Sequence, residues 1–233
     1  MKQASSIDHN NSALTEEILR ELTKTELFNG LDTYAVEDML VSMPLPMISY
    51  TKNEIILHQG DYSDSIGLIL DGSCIIERTD VWGNRQLINV FNKGEMFSEV
   101  FAIVGDQPLK VSVVAGPRGC RCIFVSVDEL IQHSDLPSRA VVLSNLMRLL
   151  SRRNLFLTQK IELLSERTTK RKLLRFFSML AESNSSTEFK LPFSRQELAD
   201  YLCVDRSAMT KELFSLHNEG QITIEGRNIT LHV

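Results

Sequence analysis

Between Leu136 and Leu164 apolar residues recur at helical spacing over 29 consecutive residues, and Pro137 falls in the first turn, the one place a helix tolerates it. Two apolar stripes run along this segment. Leu143, Leu146, Leu150, Leu157 and Leu164 form a near-heptad seam interrupted by Arg153 and Lys160, and Val142, Leu149, Phe156 and Leu163 lie beside it. A helix this long exceeds what one small domain covers, so two stripes call for two coverings. One is the rest of the same chain. The heptad spacing makes the other the same helix of a second chain, in a parallel coiled-coil dimer. A single buried helix in a monomer is the alternative.

The segments on either side have different periods. From Thr15 to Met43 the apolar residues recur at three and four, with Asn29-Gly30 dividing two helices. From Met47 to Val127 they come in short runs or alternate: "EIILHQG", "SIGLILDG", "CIIERTD", "QLINVFNKG", "KVSVVA" and "RCIFVSV". Gly60, Gly72, Gly83, Gly94 and Gly105 act as turn signals, and "DVWGN" at 80–84 reads as a hairpin turn. Short strands so punctuated predict a compact antiparallel barrel or roll. Beyond the long helix, "SERTTKRK" is a polar break suited to a hinge. Helix "RKLLRFFSMLAES" follows, then a polar loop "NSSTEFKLP", and "QITIEGRNITLHV" closes the chain as a small hairpin.

The stretch "FSRQELADYLCVDRSAMTKEL" carries the most chemistry. Ser194 with Glu197 three residues on is a capping box, so a first helix runs from Arg195 to Leu202. Asp205 caps a second helix, whose inward stripe is Ala208, Met209, Leu213 and Leu216, and Gly220 ends it. The outward face presents Arg206, Ser207, Thr210, Lys211 and Ser215. Short hydroxyls and long cations suit the DNA major groove, where Arg can donate two bonds to guanine. Two capped helices across a tight turn, followed by a hairpin, form the winged helix-turn-helix pattern.

The net charge of −5 looks unsuited to DNA, but it is unevenly distributed. Residues 1–135 hold 10 Lys and Arg against 20 Asp and Glu, 136–164 hold 5 against 1, and 165–233 hold 10 against 9. The acidity sits in the first half. No apolar run reaches the roughly 18 residues of a membrane span, and "MKQASSIDHNNSALTEE" lacks the apolar core of a signal peptide, so a cytoplasmic protein with no membrane partner is expected. With four scattered cysteines, no structural disulfide is expected in that setting. Cys120 and Cys122 share a strand face, as packing residues or as a redox pair, and no metal site is expected, since neither a second Cys pair nor a nearby His completes a zinc set. Without a phosphate loop, an HExxH or a nucleophile elbow, no enzyme is expected and no catalytic residue is assigned.

Over about residues 20–233 the order of elements resembles the cyclic AMP receptor/Fnr (Crp/Fnr) family of bacterial transcription regulators. Two stretches carry the resemblance. "KNEIILHQGDYSDSIGLILDGSCIIERTDVWGNRQLINVFNKGEMFSE" is similar to the family's cyclic-nucleotide-type roll, and "FSRQELADYLCVDRSAMTKELFSLHNEGQI" to its DNA-binding motif. The implied fold is α+β: an N-terminal antiparallel β-roll of cyclic-nucleotide-binding-like type, a long dimerisation helix and a C-terminal winged helix-turn-helix. The implied divisions are a flexible N-terminus (1–14), the effector roll (15–135), the dimerisation helix (136–164), a hinge (165–169) and the DNA-binding domain (170–233). DNA contacts are expected from Ser194, Arg195, Gln196, Arg206, Ser207, Thr210 and Lys211, with phosphate contacts also from Lys170, Arg171 and Lys172.

An effector pocket is expected at Gly94, Met96, Phe97, Ser98, Glu99, Leu109, Lys110, Leu157 and Thr158. Members that bind cyclic AMP carry Gly-Glu and, about ten residues on, Arg-Ser. Here those pairs are Ser98-Glu99 and Leu109-Lys110, and a buried phosphate without a cation is costly. A small effector other than cyclic AMP is therefore expected. The chain has no cysteine before Cys74 for the iron–sulfur branch, and only His58 near the early strands for haem. Cys203 stands where a glycine is common, and Ser207 where many members have Glu. The expected partners are a palindromic operator in double-stranded DNA, a second copy of the chain and, through the 183–190 loop, RNA polymerase. A ligand-binding or redox-sensing module acting through a protein partner, with a non-functional helix-turn-helix, is the rival reading.

Overall fold

The computed structural model describes residues 16–43, 45–80, 82–132 and 136–232; the segment 1–14 lies outside them. The chain divides into two compact units, Met1–Leu150 and Ser151–Val233.

The first unit opens with helices α1 (Glu16–Thr23) and α2 (Thr33–Ser42). Their separation is wider than the Asn29-Gly30 break suggests. The Thr25 hydroxyl donates to the Leu22 carbonyl at 2.7 Å, ending α1 early. Asp32 begins α2 late, its carboxylate accepting from the Ala35 N–H. Strands β1 (Met47–Tyr50), β2 (Ile55–Leu57), β3 (Ser65–Thr79), β4 (Arg85–Asn92), β5 (Met96–Phe97) and β6 (Ser112–Ser126) form one antiparallel sheet in the order β1-β6-β3-β4, with β2 also on β6 and β5 on β3. Helix α3 (Glu99–Val104) follows β5, and α4 (Val127–Gln132) follows β6. At the β3–β4 hairpin the Asp80 carboxylate accepts the N–H groups of Trp82 and Asn84, both at 2.9 Å.

β3 and β6 are each one 15-residue strand where the sequence reads as two short ones. Gly72 is not a turn; it lies inside β3. The cause is a pair of glycine kinks. Gly72 (φ +76°) and Gly119 (φ +83°) approach so closely that a Cβ on Gly72 would stand 2.2 Å from the Gly119 carbonyl oxygen. The pairing register slips on both sides of the kink, and the side-chain parity flips with it. Ile66, Leu68 and Leu70 face a core shared with α1, α2 and α4, whereas Ile69, Cys74 and Ile76 face a second core inside the roll.

Helix α5 (Pro137–Ser165) runs from the first unit into the second. Val142 and Leu146 are buried in the first unit's core, and Asn145 donates there to the carbonyls of Leu27 and Asn29. Burial of Leu146 corrects the seam expected from sequence: that leucine turns inward, while Met147, Leu157 and Ile161 are exposed. In the neighbouring stripe Leu163 is buried but Phe156 is exposed.

The second unit adds α6 (Thr169–Asn184), β7 (Glu188–Lys190), α7 (Arg195–Leu202), α8 (Arg206–Asn218), β8 (Ile222–Glu225) and β9 (Asn228–Leu231). α6 starts behind Thr168, whose hydroxyl accepts from the Arg171 N–H. The loop read before α7 contains β7, which joins the hairpin in the sheet order β7-β9-β8. Three residues are too few to display alternation. Leu173, Phe177, Leu198, Leu202, Met209 and Leu216 are each fully buried in this unit's core.

Candidate functional site

The helix-turn-helix is built by its caps. Ser194 Oγ accepts the Glu197 N–H, and the Glu197 carboxylate accepts the Ser194 N–H at 2.6 Å, completing the capping box. α7 ends on Cys203 at φ +52°, a left-handed conformation that L residues adopt at some cost. Its N–H and that of Val204 satisfy the Asp200 and Ala199 carbonyls. Asp205 then caps α8, accepting from the Ala208 N–H and the Ser207 hydroxyl. These bonds hold the Asp205 carboxyl below the usual carboxylate range, that from Ser207 first. The Ser194 backbone bond does the same for Glu197.

Met209, Leu213 and Leu216 anchor α8, and its other side stays free. Arg206, Ser207 and Lys211 are exposed and Thr210 is half-buried, its hydroxyl donating to the Arg206 carbonyl. Two details depart from expectation. Ala208 is exposed, so the inward stripe starts at Met209. Phe214 is 59% exposed and continues the row of Ser207 and Lys211. Its i+3 and i+7 spacing from Lys211 and Ser207 shows this in the sequence, although an aromatic reads first as core.

On α7, Ser194 and Gln196 are exposed, with Gln196 donating to Asp200. Arg195 is less available than a phosphate ligand would be. It is half-buried, and Nη2 reaches the Gly226 carbonyl of the β8–β9 turn at 3.5 Å. Burial lowers its pKa, and Nη1 is enclosed without a hydrogen-bond partner. Of the three cations beside the hinge, Lys170 pairs with Glu219, Arg171 with Glu166, and Lys172 donates to the Leu202 carbonyl. Lys160 of α5 donates to the neighbouring Tyr201 carbonyl and stands 2.9 Å from the centroid of that ring. Burial holds its ammonium below the usual lysine range and pushes the Tyr201 phenol up. Two lysines thus close the C-terminal carbonyls of α7, one from α5 and one from α6. Neither role is visible in sequence, because both depend on long-range packing.

The residues expected to hold an effector divide between the units. Gly94 to Glu99 and Leu109-Lys110 belong to the first, where Gly94 (φ +86°) turns the chain into β5. Met96 and Phe97 are buried in its two cores, Phe97 meeting Phe124 edge-on at 6.1 Å between centroids. Ser98 takes φ +65° and its hydroxyl is buried without a partner; Glu99 beside it is 6% exposed. Leu109 is buried and Lys110 exposed. Leu157 and Thr158 lie on α5 in the second unit, both exposed. A separate cleft of about 450 Å³, lined by Gln159, Phe176, Met179 and Tyr201 among others, opens within that unit.

A cyclic nucleotide would need its phosphate neutralised in the β5–α3 region. The polar groups buried there are a hydroxyl and a carboxylate, and an apolar side chain fills position 109. These residues do not fit a buried cyclic phosphate. Cys74, Cys120 and Cys122 are packed into the roll interior as free thiols. Burial pushes Cys74 up to about 12, and the bond to Cys120 together with burial keeps the proton on Cys122. Cys74 and Cys122, so held protonated, are poor nucleophiles, whereas the bond from Cys122 lowers the pKa of Cys120. Among the described residues, no cluster of three His, Cys, Asp or Glu is placed to hold a metal, and no helix is long and apolar enough to cross a membrane.

Comparison with known proteins bears on both units. Residues 47–133 match the model of the cyclic nucleotide-binding domain, and residues 171–232 that of the Crp-like helix-turn-helix domain. The chain is 24% identical over 190 residues to the transcriptional activator protein FnrL of Cereibacter sphaeroides, covering 77% of this chain and 73% of the relative. It is 24% identical over 183 residues to the transcriptional activator protein anr of Pseudomonas aeruginosa, covering 76% and 73%. Among solved structures, the catabolite activator protein of Thermus thermophilus aligns with a TM-score of 0.52 at 20% identity, over 89% of this chain and 94% of that one, which supports the fold. With a roll of one family, a winged helix-turn-helix of the other and a long helix between them, the chain belongs to the Crp/Fnr family of bacterial transcription regulators.

Proposed function

We propose that the chain acts as a homodimeric, sequence-specific regulator of transcription whose roll responds to a small effector other than cyclic AMP. The observation that carries this is the free face of α8: Arg206, Ser207 and Lys211 exposed on a helix capped at its start and anchored by Met209, Leu213 and Leu216. In the major groove Arg206 donates two bonds to guanine, and Lys211 reaches guanine or phosphate. Thr210 and Ser207 hold internal hydrogen bonds that they exchange for base or phosphate contacts. Two copies related by a two-fold axis place their α8 helices in successive major grooves of a palindrome, about 34 Å apart. The phosphate contacts come from exposed Ser194, Gln196 and Lys211, with the hinge cations contributing as they leave their internal partners.

The effector acts at the β5–α3 region, where the partnerless Ser98 hydroxyl and the buried Glu99 offer one donor and one acceptor to a neutral or cationic molecule. Its binding biases the helix-turn-helix between two arrangements through α5. Lys160 and Lys172 give that coupling a physical link, since they join α5 and α6 to the end of α7. The surface at 183–190 is the candidate contact for RNA polymerase.

The test is selection of genomic DNA fragments by the purified protein at physiological salt, with and without cell extract, alongside Arg206→Ala. Recovery of one palindromic sequence by the wild type, with its central preference relaxed in the variant, is the expected result. An Arg206→Ala protein of unchanged operator selectivity overturns the assignment of α8 as the reading helix.

A further inference from the structure

We infer that Asn154 pairs with Asn154 of a second copy and fixes the register of a parallel, two-stranded α5 coiled coil. The inference rests on the homodimer proposed above and deepens it. With Leu146 turned inward, one row of apolar residues along α5 is Leu143, Met147, Leu150, Leu157, Ile161 and Leu164. Their spacing, with Asn154 inserted between Leu150 and Leu157, alternates four and three without a fault. That is a strict heptad: Met147, Asn154 and Ile161 take the first core position, and Leu143, Leu150, Leu157 and Leu164 the second. Met147, Leu157 and Ile161 are 62%, 56% and 66% exposed, while Leu143 and Leu150 are half-buried against the first unit's core. Asn154 is exposed and is the single polar member.

The occupant follows from the flanking residues. Beside the seam on one side stand Arg153 and Lys160, and on the other Ser151, Thr158 and Ser165. In a parallel pair each cation faces a hydroxyl residue of the other copy. In an antiparallel pair Arg153 and Lys160 of both copies face one another, and like charges oppose the arrangement. The same choice follows from Asn154. In parallel register it meets its own copy, and the two amides exchange hydrogen bonds. In antiparallel register, or shifted by a heptad, it faces Leu, Met or Ile and its amide is left unsatisfied. A lone asparagine at this heptad position selects two strands over three or four, at a cost in affinity.

The experiment uses the full-length protein. Cys203, the one exposed cysteine among the four, is first replaced by Ser, and Asn154→Cys is added to that background. Thiol oxidation should cross-link the chain to a covalent dimer almost completely. In parallel, Asn154→Ile in the wild-type chain should tighten self-association at least tenfold in analytical ultracentrifugation, with circular dichroism confirming the fold. A wild-type chain that stays monomeric at micromolar concentration refutes the homodimer itself. A dimeric wild type whose Asn154→Cys variant does not cross-link refutes the register and leaves the homodimer standing. An Asn154→Ile protein of unchanged affinity refutes the selecting role of Asn154.

Discussion

Arg206 and Lys211 lie about one and a half turns apart on α8 and are both exposed, yet they should behave differently. A bidentate Arg–guanine pair discriminates by about 1–3 kcal/mol, so Arg206→Ala should weaken operator binding at least tenfold while leaving non-specific binding nearly unchanged. If Lys211 contacts phosphate, Lys211→Ala should weaken all sequences alike and flatten the salt dependence by about one counterion. Titrations of operator and scrambled duplex at several salt concentrations separate the two. The caps supply a second expectation at this scale. Asp205 and Glu197 have folded pKa values below their unfolded ones, because hydrogen bonds favour the carboxylates. The stability they add is therefore complete above the unfolded range of about 3.9–4.3 and is lost as pH falls through the lower folded values. Melting midpoints measured from pH 7 down to pH 3 should fall less steeply for Asp205→Asn, which still caps; equal acid slopes would refute this account. These caps were legible because capping is local, needing only Ser194, Glu197 and Asp205 at fixed offsets. The half-buried Arg195 was not, since its partner at Gly226 lies 31 residues away.

α5 and α7 meet at one polar contact that the sequence does not announce. Lys160 interrupts an apolar stripe, and its position there has a purpose: the ammonium closes the Tyr201 carbonyl and covers that ring. Lys160→Met keeps the stem and removes both interactions. About 1–2 kcal/mol of stability should be lost from the second unit, seen as a lower thermal midpoint. Operator affinity should fall. Unaltered operator binding by a folded Lys160→Met dimer would separate this contact from DNA recognition. The helices were legible over most of their length, α5 to within one residue at each end, because three-four periodicity persists over many turns. The strands were less so. Glycines that normally mark turns sit inside β3 and β6, where they permit a backbone approach no side chain allows. β7 pairs with β9 and has no pattern of its own. In each case the missing information is a contact between distant segments, which periodicity along one segment does not carry.

For the molecule as a whole, the family fold and the local chemistry point in different directions over the ligand. Residues 47–133 match a cyclic nucleotide-binding domain, yet the region after β5 buries Glu99 and Leu109 and leaves Lys110 at the surface. Folds outlast the sites they carry, so the site decides. A ligand that binds only the native state at a hundred times its dissociation constant stabilises it by about 2.7 kcal/mol. In a chain of this size that is a rise in melting temperature of roughly 5–10 °C. Cyclic AMP at millimolar concentration should leave the midpoint of the first unit where it was. A rise of several degrees would mean that the phosphate finds its cation after all, and Lys110 is the nearest in sequence to supply it. Lys110→Ala would then abolish the rise. If it did so, the roll has kept the ligand chemistry of its fold with a point charge in place of a guanidinium, and the effector assignment made from Leu109 falls.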